Sequence, residues 1–179
     1  MGYKMDTIKS TTKLKMMVAL GGIALISSML MFSSQASATS GQGHLKVTSK
    51  VQKMVVVNKA GKKSYQFVPA DKVLPGEIIQ YNTFFQNISN KPANNINIVN
   101  PIPKHTVYLP NSAQGKNTQA VFSVDGGKHY GTASTLKVRG KDGKWHQAKP
   151  SDYTHIQWQY KGSLAPKAQQ AVAFRVRLR

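Results

Sequence analysis

The sequence contains no cysteine and very few acidic residues. Its 179 residues include 6 Asp and Glu against 25 Lys and Arg, so the formal net charge is +19. The lack of cysteine excludes a disulfide framework, a thiol nucleophile and cysteine-ligated metal sites. The few scattered acids offer little to acid–base catalysis by paired carboxylates. The excess of positive charge predicts attraction to polyanions, but it does not specify a fold.

The other common catalytic and metal-binding patterns are also missing from the sequence. It has no Gly-x-Ser-x-Gly elbow, no His-x-His pair and no His-Glu-x-x-His sequence. The five histidines are dispersed: His44, His105, His129, His146 and His155. His129 and His146 could meet across two hairpins, but surface histidines beside turns explain them better. The sequence therefore predicts a protein that is not an enzyme and that needs no metal or cofactor.

The first 38 residues have the pattern of a cleaved secretory signal. Four lysines precede an apolar run over 16–32, and Ala36-Ser37-Ala38 supplies the small residues that a signal peptidase requires. An uncleaved membrane anchor is the alternative, since a run of about 17 residues is at the short limit for a membrane span. Glycines and serines within the run favour the signal. We predict cleavage after Ala38 and export to the periplasm or beyond the cell.

Cleavage at this point would leave a flexible leader over 39–44 and one domain over 45–179. A domain near 150 residues buries about 68–70% of the surface that its unfolded chain exposes, so it needs no disulfides to fold. Without residues 1–38 the formal charge is still +16. The lysines are scattered along this part, which gives no arginine-rich arm for nucleic acid.

The most regular pattern of the domain lies in residues 74–103. Pro75 and Gly76 predict a tight turn, because proline presets φ at the first corner and glycine tolerates a positive φ at the second. Four residues share one face of the strand that follows: Ile79, Tyr81, Thr83 and Phe85. A polar loop over 87–93 interrupts the alternation, which Ile96 and Ile98 resume. The pattern predicts two antiparallel strands of one half-buried sheet.

The rest of the domain consists of short alternating segments between turn signals. Residues 45–58 fit one long strand or two short ones. Asp-Gly sequences at 125–126 and 142–143 predict hairpin turns. Trp145 follows the second of these turns, and we expect it to be exposed. About nine short strands, with no helical periodicity after the signal, predict an all-β antiparallel β-sandwich.

The last strand has the strictest alternation of the chain. We expect four residues to point inward: Val172, Phe174, Val176 and Leu178. Trp158 belongs to the inward side of the strand before this one, so we predict that Trp158 and Phe174 are buried on facing strands. Four others point outward: Ala173, Arg175, Arg177 and Arg179. Three of the outward residues are arginines, so this strand is expected to present positive charge on the surface of the sandwich.

Several short motifs together resemble the Ig-like repeat domain of bacterial surface proteins called domain of unknown function eleven. In order, they are Leu74-Pro75-Gly76-Glu77, Tyr81 to Asn87, the Pro-Ala loop before Ile96 and Ile98, Pro101-Ile102-Pro103, Ser123-Val124-Asp125-Gly126-Gly127, Trp158, Leu164-Ala165-Pro166 and Phe174-Arg175-Val176-Arg177. The resemblance covers roughly residues 73–178. It implies an Ig-like sandwich exported to the cell envelope, usually as a repeat or as a module of adhesive or structural proteins.

The chain also departs from that family. Asn100 stands where the family commonly has Asp, and Lys167 stands where a Gly usually follows Ala-Pro. We find one copy of the motif set and no sortase-type Leu-Pro-x-Thr-Gly sequence, which argues against a wall-anchored adhesin. The last strand has no Asn, so the Lys–Asn bond of some related surface sandwiches is not expected.

Two functions agree with these patterns. The first is a non-catalytic envelope module that binds another protein in adhesion or assembly; the sequence favours it, because attraction to polyanions follows from net charge alone. The second is a polyanion-binding protein that recognises lipopolysaccharide, teichoic acid or extracellular DNA. Its candidate residues are Arg175, Arg177 and Arg179, and Trp145 is a candidate exposed aromatic. Clustering of basic groups on one face, against even scatter, would discriminate between the two functions.

Overall fold

The computed structural model describes residues 36–39 and 45–179, and these residues form twelve β-strands and no helix. The strands are β1 (Ser37–Thr39), β2 (Leu45–Lys59), β3 (Lys62–Pro69), β4 (Ile78–Asn87), β5 (Asn97–Pro101), β6 (Thr106–Tyr108), β7 (Gln114–Gly115), β8 (Thr118–Ser123), β9 (Lys137–Arg139), β10 (Trp145–Gln147), β11 (His155–Tyr160) and β12 (Gln169–Leu178). The predicted apolar signal run over 16–32 and most of the predicted leader lie outside the described residues. Within the described ranges no helix has the length and apolar character to cross a membrane.

The strands form two large antiparallel sheets and one small one. The six-stranded sheet has the order β3-β2-β4-β12-β6, with β7 also paired to β12. The four-stranded sheet has the order β1-β5-β11-β8, and β9 pairs with β10 in a separate hairpin. The predicted all-β antiparallel class is confirmed. The described strands outnumber the roughly nine expected, because pieces as short as β1 and β7 leave no readable alternation in the sequence.

One hydrophobic core lies between the two large sheets, which makes the fold a β-sandwich. Trp158 on β11 and Phe174 on β12 are 1% and 0% exposed, and their ring centroids are 5.8 Å apart. Tyr81 on β4 stacks on Phe174 at 5.1 Å. The prediction that Trp158 and Phe174 are buried on facing strands is therefore confirmed. So is the alternation of β4 and β12, since every second residue of each strand is buried over most of its length.

The predicted pairing of the two strands within residues 74–103 is wrong. β4 belongs to the six-stranded sheet and β5 to the four-stranded sheet, so the two strands face each other across the core. The loop over 88–96 is long enough to cross the roughly 10 Å between packed sheets. Within it, Ala93 is held by two backbone hydrogen bonds to Leu164, of 2.8 and 2.9 Å. Alternation locates both strands, but it does not say which sheet each one joins.

A buried asparagine fixes the point where the chain leaves β4. The amide nitrogen of Asn87 donates to the carbonyl oxygens of Lys91, Leu164 and Ala165, at 2.7, 3.0 and 3.3 Å. Its side-chain oxygen accepts hydrogen bonds from the backbone and hydroxyl of Ser89. Because Asn87 is 0% exposed, the Asn-Ile-Ser sequence here stabilises the loop and does not present a glycosylation site.

A second buried asparagine joins the two sheets. Asn100 on β5 donates its amide hydrogen to the hydroxyl of Thr83 on β4 at 2.7 Å, and both side chains are 0% exposed. A carboxylate at this position would carry a charge into the core, which is costly without a cation beside it. A neutral asparagine is therefore expected to be more stable at this buried position than the aspartate that the resembled family commonly has there.

The turn predicted at Pro75 and Gly76 is confirmed. The Glu77 backbone nitrogen donates to the Leu74 carbonyl at 3.1 Å, and Gly76 has a φ of 90°, which a residue with a Cβ rarely adopts. Two further backbone hydrogen bonds tie Gly76 and Glu77 to Leu178 at the end of β12. The turn therefore sets the register between the start of β4 and the end of the chain.

β2 is one long strand, which settles the choice between one strand and two. Residues 45–53 of β2 pair with β4, and the last of these pairs joins Lys53 to Ile79. Beyond Lys53, β2 pairs only with β3, as far as the Lys59–Lys62 pair next to the turn. We call residues 54–67 the β2–β3 ribbon, because this two-stranded part runs on past the start of β4.

Candidate functional site: the outer face of the six-stranded sheet

Positive charge is unequally divided between the two large sheets. The strands of the six-stranded sheet hold eight cationic residues and no Asp or Glu: Lys46, Lys50, Lys53, Lys59, Lys62, Lys63, Arg175 and Arg177. The strands of the four-stranded sheet hold no Lys, Arg, Asp or Glu. Of the two large sheets, only the six-stranded one therefore carries basic strand residues; two more, Lys137 and Arg139, lie on β9 of the small hairpin. The acidic residues of the described chain lie in its loops.

Strand register shows which of these cations share a surface. Residues directly opposite each other on antiparallel strands point to the same side of a sheet. One such row joins β2, β4 and β12 through Lys46, Gln86 and Gln169. A second row consists of Lys50, Asn82 and Ala173, and a third of Gln52, Gln80 and Arg175. All three rows lie on the side of the sheet away from the core, which we call the cationic face; Arg177 continues it along β12.

Amide side chains form a hydrogen-bonded network across the middle of the cationic face. Gln80 donates to the side-chain oxygen of Asn82 at 2.9 Å, and Asn82 donates to that of Gln52 at 3.1 Å. The Nε of Arg175 donates to the side-chain oxygen of Gln80 at 3.0 Å. The network holds these polar groups in fixed positions, which lowers the entropy that a ligand would have to remove on binding.

The three predicted arginines have different surroundings. Arg175 is half-buried, with its guanidinium over the ring of Phe67 at 5.3 Å in a cation–π contact. Arg177 is exposed on the same face. Arg179 follows the end of β12, where its backbone and guanidinium donate to the carbonyls of His105 and Ser151. The structure thus brings Arg175 and Arg177 together and places Arg179 beside two loops.

Two lysines of the cationic face did not stand out in the sequence. Lys46 and Lys50 are both exposed on β2, between Leu45, Val47 and Val51, which pack against the core. Their alternation with apolar residues predicts that both lysines point away from the core. It could not reveal that β4 and β12 would place these lysines on the same face as Arg177.

A shallow pocket of about 110 Å³ lies at one end of the cationic face. Its lining consists of Lys46, Thr48, Phe84, Gln86 and Gln169. Phe84 is an apolar residue on the outer side of β4, and it offers a flat ring beside a cation and several polar groups. Such a combination suits a ring-shaped ligand group that carries polar or anionic substituents.

Trp145 lies in a separate element. It is 68% exposed on β10, in the small hairpin with β9, and it takes no part in the rows that define the cationic face. The Asp-Gly turn predicted before it is present, since Gly143 has a φ of 76° and the Gly140 nitrogen donates to the Lys144 carbonyl at 2.8 Å.

Two of the histidines pair with the aspartates of their own turns. His129 lies 2.6 Å from Asp125, and His146 lies 2.9 Å from Asp142. Hydrogen bonds from these histidines hold the pKa of each aspartate below its usual range. In the part of the chain that the structure describes, no group of three or more His, Cys, Asp or Glu is placed to hold a metal ion.

Partial burial lowers the pKa of His155, at the start of β11. A folded-state pKa below the unfolded value means that the unfolded chain takes up a proton first, so stability falls as pH falls through about 6.5. We expect His155→Gln to reduce this loss of stability, as measured by urea unfolding on either side of that pH. Asp125, in the turn after β8, opposes this effect by raising the pKa of His155, but its own pKa is lowered, so it stays charged across this pH range.

The control for this prediction is His105→Asn. His105 is exposed and has a φ of 62°, a conformation that Asn tolerates well. This variant removes one histidine without changing a partly buried site. An equal change in the pH dependence of both variants would contradict the role given to His155.

No family model matches the chain, and no curated protein or solved structure is similar enough to it to count as a match. The resemblance to domain of unknown function eleven therefore stays a prediction from the motifs. The candidate site consequently depends on the geometry of the cationic face alone.

Proposed function

We propose that this chain is a non-catalytic module of the cell envelope that binds an anionic polymer on its cationic face. The observation that carries the proposal is that the strands of the six-stranded sheet hold eight cations and no acidic residue, while the strands of the four-stranded sheet hold no Lys, Arg, Asp or Glu. Net charge alone explains a general attraction to polyanions. It does not explain why Lys46, Lys50 and the two arginines of β12 share one surface with fixed amides and an aromatic pocket.

Each part of the face has a role in this proposal. Exposed cations, among them Lys46, Lys50 and Arg177, neutralise successive anionic groups and release their counterions. The amides of Gln52, Gln80 and Asn82 hold and orient the surface between them. Phe84 gives one ring of the polymer an apolar floor. The polymer classes that fit are lipopolysaccharide, teichoic acid and extracellular DNA, which share repeated phosphate groups and need no base-specific recognition.

The envelope location in this proposal depends on the signal pattern in residues 1–38 and on the resemblance to Ig-like surface domains. Ala38, after which we place the cleavage, lies in β1 at the edge of the four-stranded sheet, where it is opposite Ile98. Cleavage there would leave only Thr39 of β1 on the chain. The cationic face belongs to the other sheet, so it would be unchanged by this processing.

We expect the triple variant Lys46→Gln, Lys50→Gln, Arg177→Gln to bind soluble polyphosphate at least about tenfold more weakly at low salt than the unchanged protein, since three charge contacts are lost. The logarithm of affinity should also fall less steeply with the logarithm of salt concentration, by about two or three in the slope. Fluorescence anisotropy of labelled polyphosphate over a series of salt concentrations measures both quantities.

The matched control is Lys104→Gln, Lys116→Gln, Lys128→Gln. These three lysines are exposed in loops, so the variant loses the same formal charge without touching the cationic face. We expect it to retain most of the affinity. If both variants lose affinity and slope equally, binding follows net charge and the proposed site is wrong.

Protein binding remains the second candidate function, and one observation favours it. Val56 and Tyr65, on the β2–β3 ribbon, are 59% and 66% exposed. Exposed apolar residues on a sheet edge are typical of surfaces that pair with another chain. Val56 and Tyr65 lie on the same side of the sheet as the cationic face, but beyond the start of β4 and away from Lys46 and Lys50. Each function can therefore be tested with its own variants.

A further inference from the structure

The β2–β3 ribbon has an open sheet edge. β3 pairs with β2 along its whole length, and among the described residues no other strand pairs with it. Among the described residues its backbone makes no hydrogen bond to the backbone of a loop, and one of its groups, the Phe67 carbonyl, accepts from the side chain of Gln52 at 3.5 Å. An edge strand directs half of its N–H and C=O groups away from its neighbour, where they are free to bond an added strand. Pro69, which lacks an N–H, ends this edge and leaves residues 62–68 to pair.

Apolar side chains lie beside the open edge. Val56 is opposite Tyr65, and Met54 is opposite Phe67, so the four form two adjacent pairs on the outer side of the ribbon. Beyond Lys53 no β4 residue pairs with β2, so Val56 and Tyr65 are exposed, whereas Phe67 is partly covered by the guanidinium of Arg175. An added strand would place every second side chain against Tyr65 and Phe67, because side chains alternate along a strand.

Charge decides what kind of strand fits this edge. Residues 45–69 contain six lysines and no Asp or Glu, and Lys53 is paired with Glu77 at 3.4 Å. Three of the six flank the ribbon turn: Lys59, Lys62 and Lys63. A second copy would bring an equally basic ribbon against this one, which like-charge repulsion opposes. An acidic strand would be attracted to it.

We propose that the edge of β3 over 62–68 binds an extended, acidic segment of another protein by strand addition. The segment alternates apolar residues, which pack beside Tyr65 and Phe67, with Asp or Glu, which face the turn lysines. Backbone hydrogen bonds give affinity without sequence preference, and the side chains give selectivity. This proposal does not depend on polymer binding, because strand addition uses the backbone edge of β3, whereas the polymer is bound by side chains of β2, β4 and β12. The two surfaces adjoin where Arg175 contacts Phe67.

The test uses a labelled peptide of alternating valine and glutamate, long enough to pair with the whole edge. A control peptide of the same sequence carries N-methyl groups on alternate backbone amides, which block strand pairing and leave its charge unchanged. We expect the first peptide to bind and the second to lose at least about tenfold in affinity, as expected when backbone pairing supplies the binding energy. Hydrogen exchange should show new protection of amides within residues 62–68 when the first peptide binds.

Variants locate the binding surface. We expect Val56→Thr, Tyr65→Thr to weaken peptide binding by about tenfold, since threonine keeps the strand preference and removes apolar contact. Lys62→Gln, Lys63→Gln should weaken binding mainly at low salt. The β9–β10 hairpin supplies matched controls, Trp145→Thr and Lys141→Gln, Lys144→Gln, because it also pairs an exposed aromatic with turn lysines.

Three results would overturn the proposal. Equal binding of the N-methylated peptide would show attraction by charge alone. Equal losses from the ribbon variants and the β9–β10 variants would show that the edge is not the site. A dimer that Tyr65→Thr dissociates, with no peptide binding, would show that a second copy occupies the edge. The polyphosphate test compares the unchanged protein with the Lys46, Lys50, Arg177 triple variant and uses no peptide. Its outcome is therefore independent of these three results, and failure of strand addition can be told apart from failure of the proposed function.

Discussion

Phe174→Ala is expected to lower the free energy of unfolding by about 3–5 kcal/mol, the usual cost of truncating a buried phenylalanine. Phe174 is 0% exposed, stacks on Tyr81 at 5.1 Å and meets Trp158 from the opposite sheet at 5.8 Å. Removal of its ring leaves a cavity where the two sheets contact, and two large aromatic side chains cannot collapse to fill it. Urea unfolding at neutral pH measures the loss.

The matched control for this prediction is Arg177→Ala, three residues along the same strand. Arg177 is exposed, so its removal should change stability by about 0.5 kcal/mol or less. Arg175 would be a poor control despite its outward position, because it bonds Gln80 and covers the ring of Phe67. Equal losses from Phe174→Ala and Arg177→Ala would show that the inward and outward sides of β12 are assigned wrongly.

β12 and β4 show why part of this fold could be read from the sequence. Each strand has one side in the core and one side outside, so apolar and polar residues alternate with a period of two. Phe174 and Arg177 could therefore be assigned to opposite sides without knowledge of any neighbouring strand. The same reasoning gave the burial of Trp158 on β11.

Alternation within a strand does not predict contacts between segments that are distant in the sequence. Alternation in β4 and β5 is the same whether the loop between them returns to the same sheet or crosses the core, and here it crosses. The cationic face has the same origin, because Lys50 and Arg177 share a surface only when β4 lies between their strands. The sequence around Arg175 predicts only that its side chain points outward, and nothing there indicates its contact with Phe67.

Asn87 shows a second kind of feature that the sequence does not predict. The Asn-Ile-Ser motif is visible in the sequence, but its contribution to stability is not. Asn-Ile-Ser is a common polar sequence for a loop. Only the packed structure shows that one amide is buried among the carbonyl oxygens of Lys91, Leu164 and Ala165, residues from two separate loops. The side chain therefore links the end of β4 to the segment that leads into β12.

We expect Asn87→Ala to lower the free energy of unfolding by about 3 kcal/mol, since three carbonyl oxygens and the Ser89 backbone nitrogen each lose a hydrogen bond worth about 0.5–1.5 kcal/mol. Asn87→Asp is the sharper test. It keeps the shape of the side chain but places an oxygen against the carbonyls of Lys91 and Leu164, which lie 2.7 and 3.0 Å from the amide nitrogen. The aspartate variant should therefore be at least as unstable as the alanine variant.

Asn90→Ala is the control for both variants, because Asn90 is exposed in the same loop and its loss should cost about 0.5 kcal/mol or less. Urea unfolding of the three variants separates the possible causes. If packing volume alone mattered, Asn87→Asp would be nearly as stable as the unchanged protein and only Asn87→Ala would lose stability. If the amide hydrogen bonds stabilise the crossing from one sheet to the other, both Asn87 variants lose stability and Asn90→Ala does not.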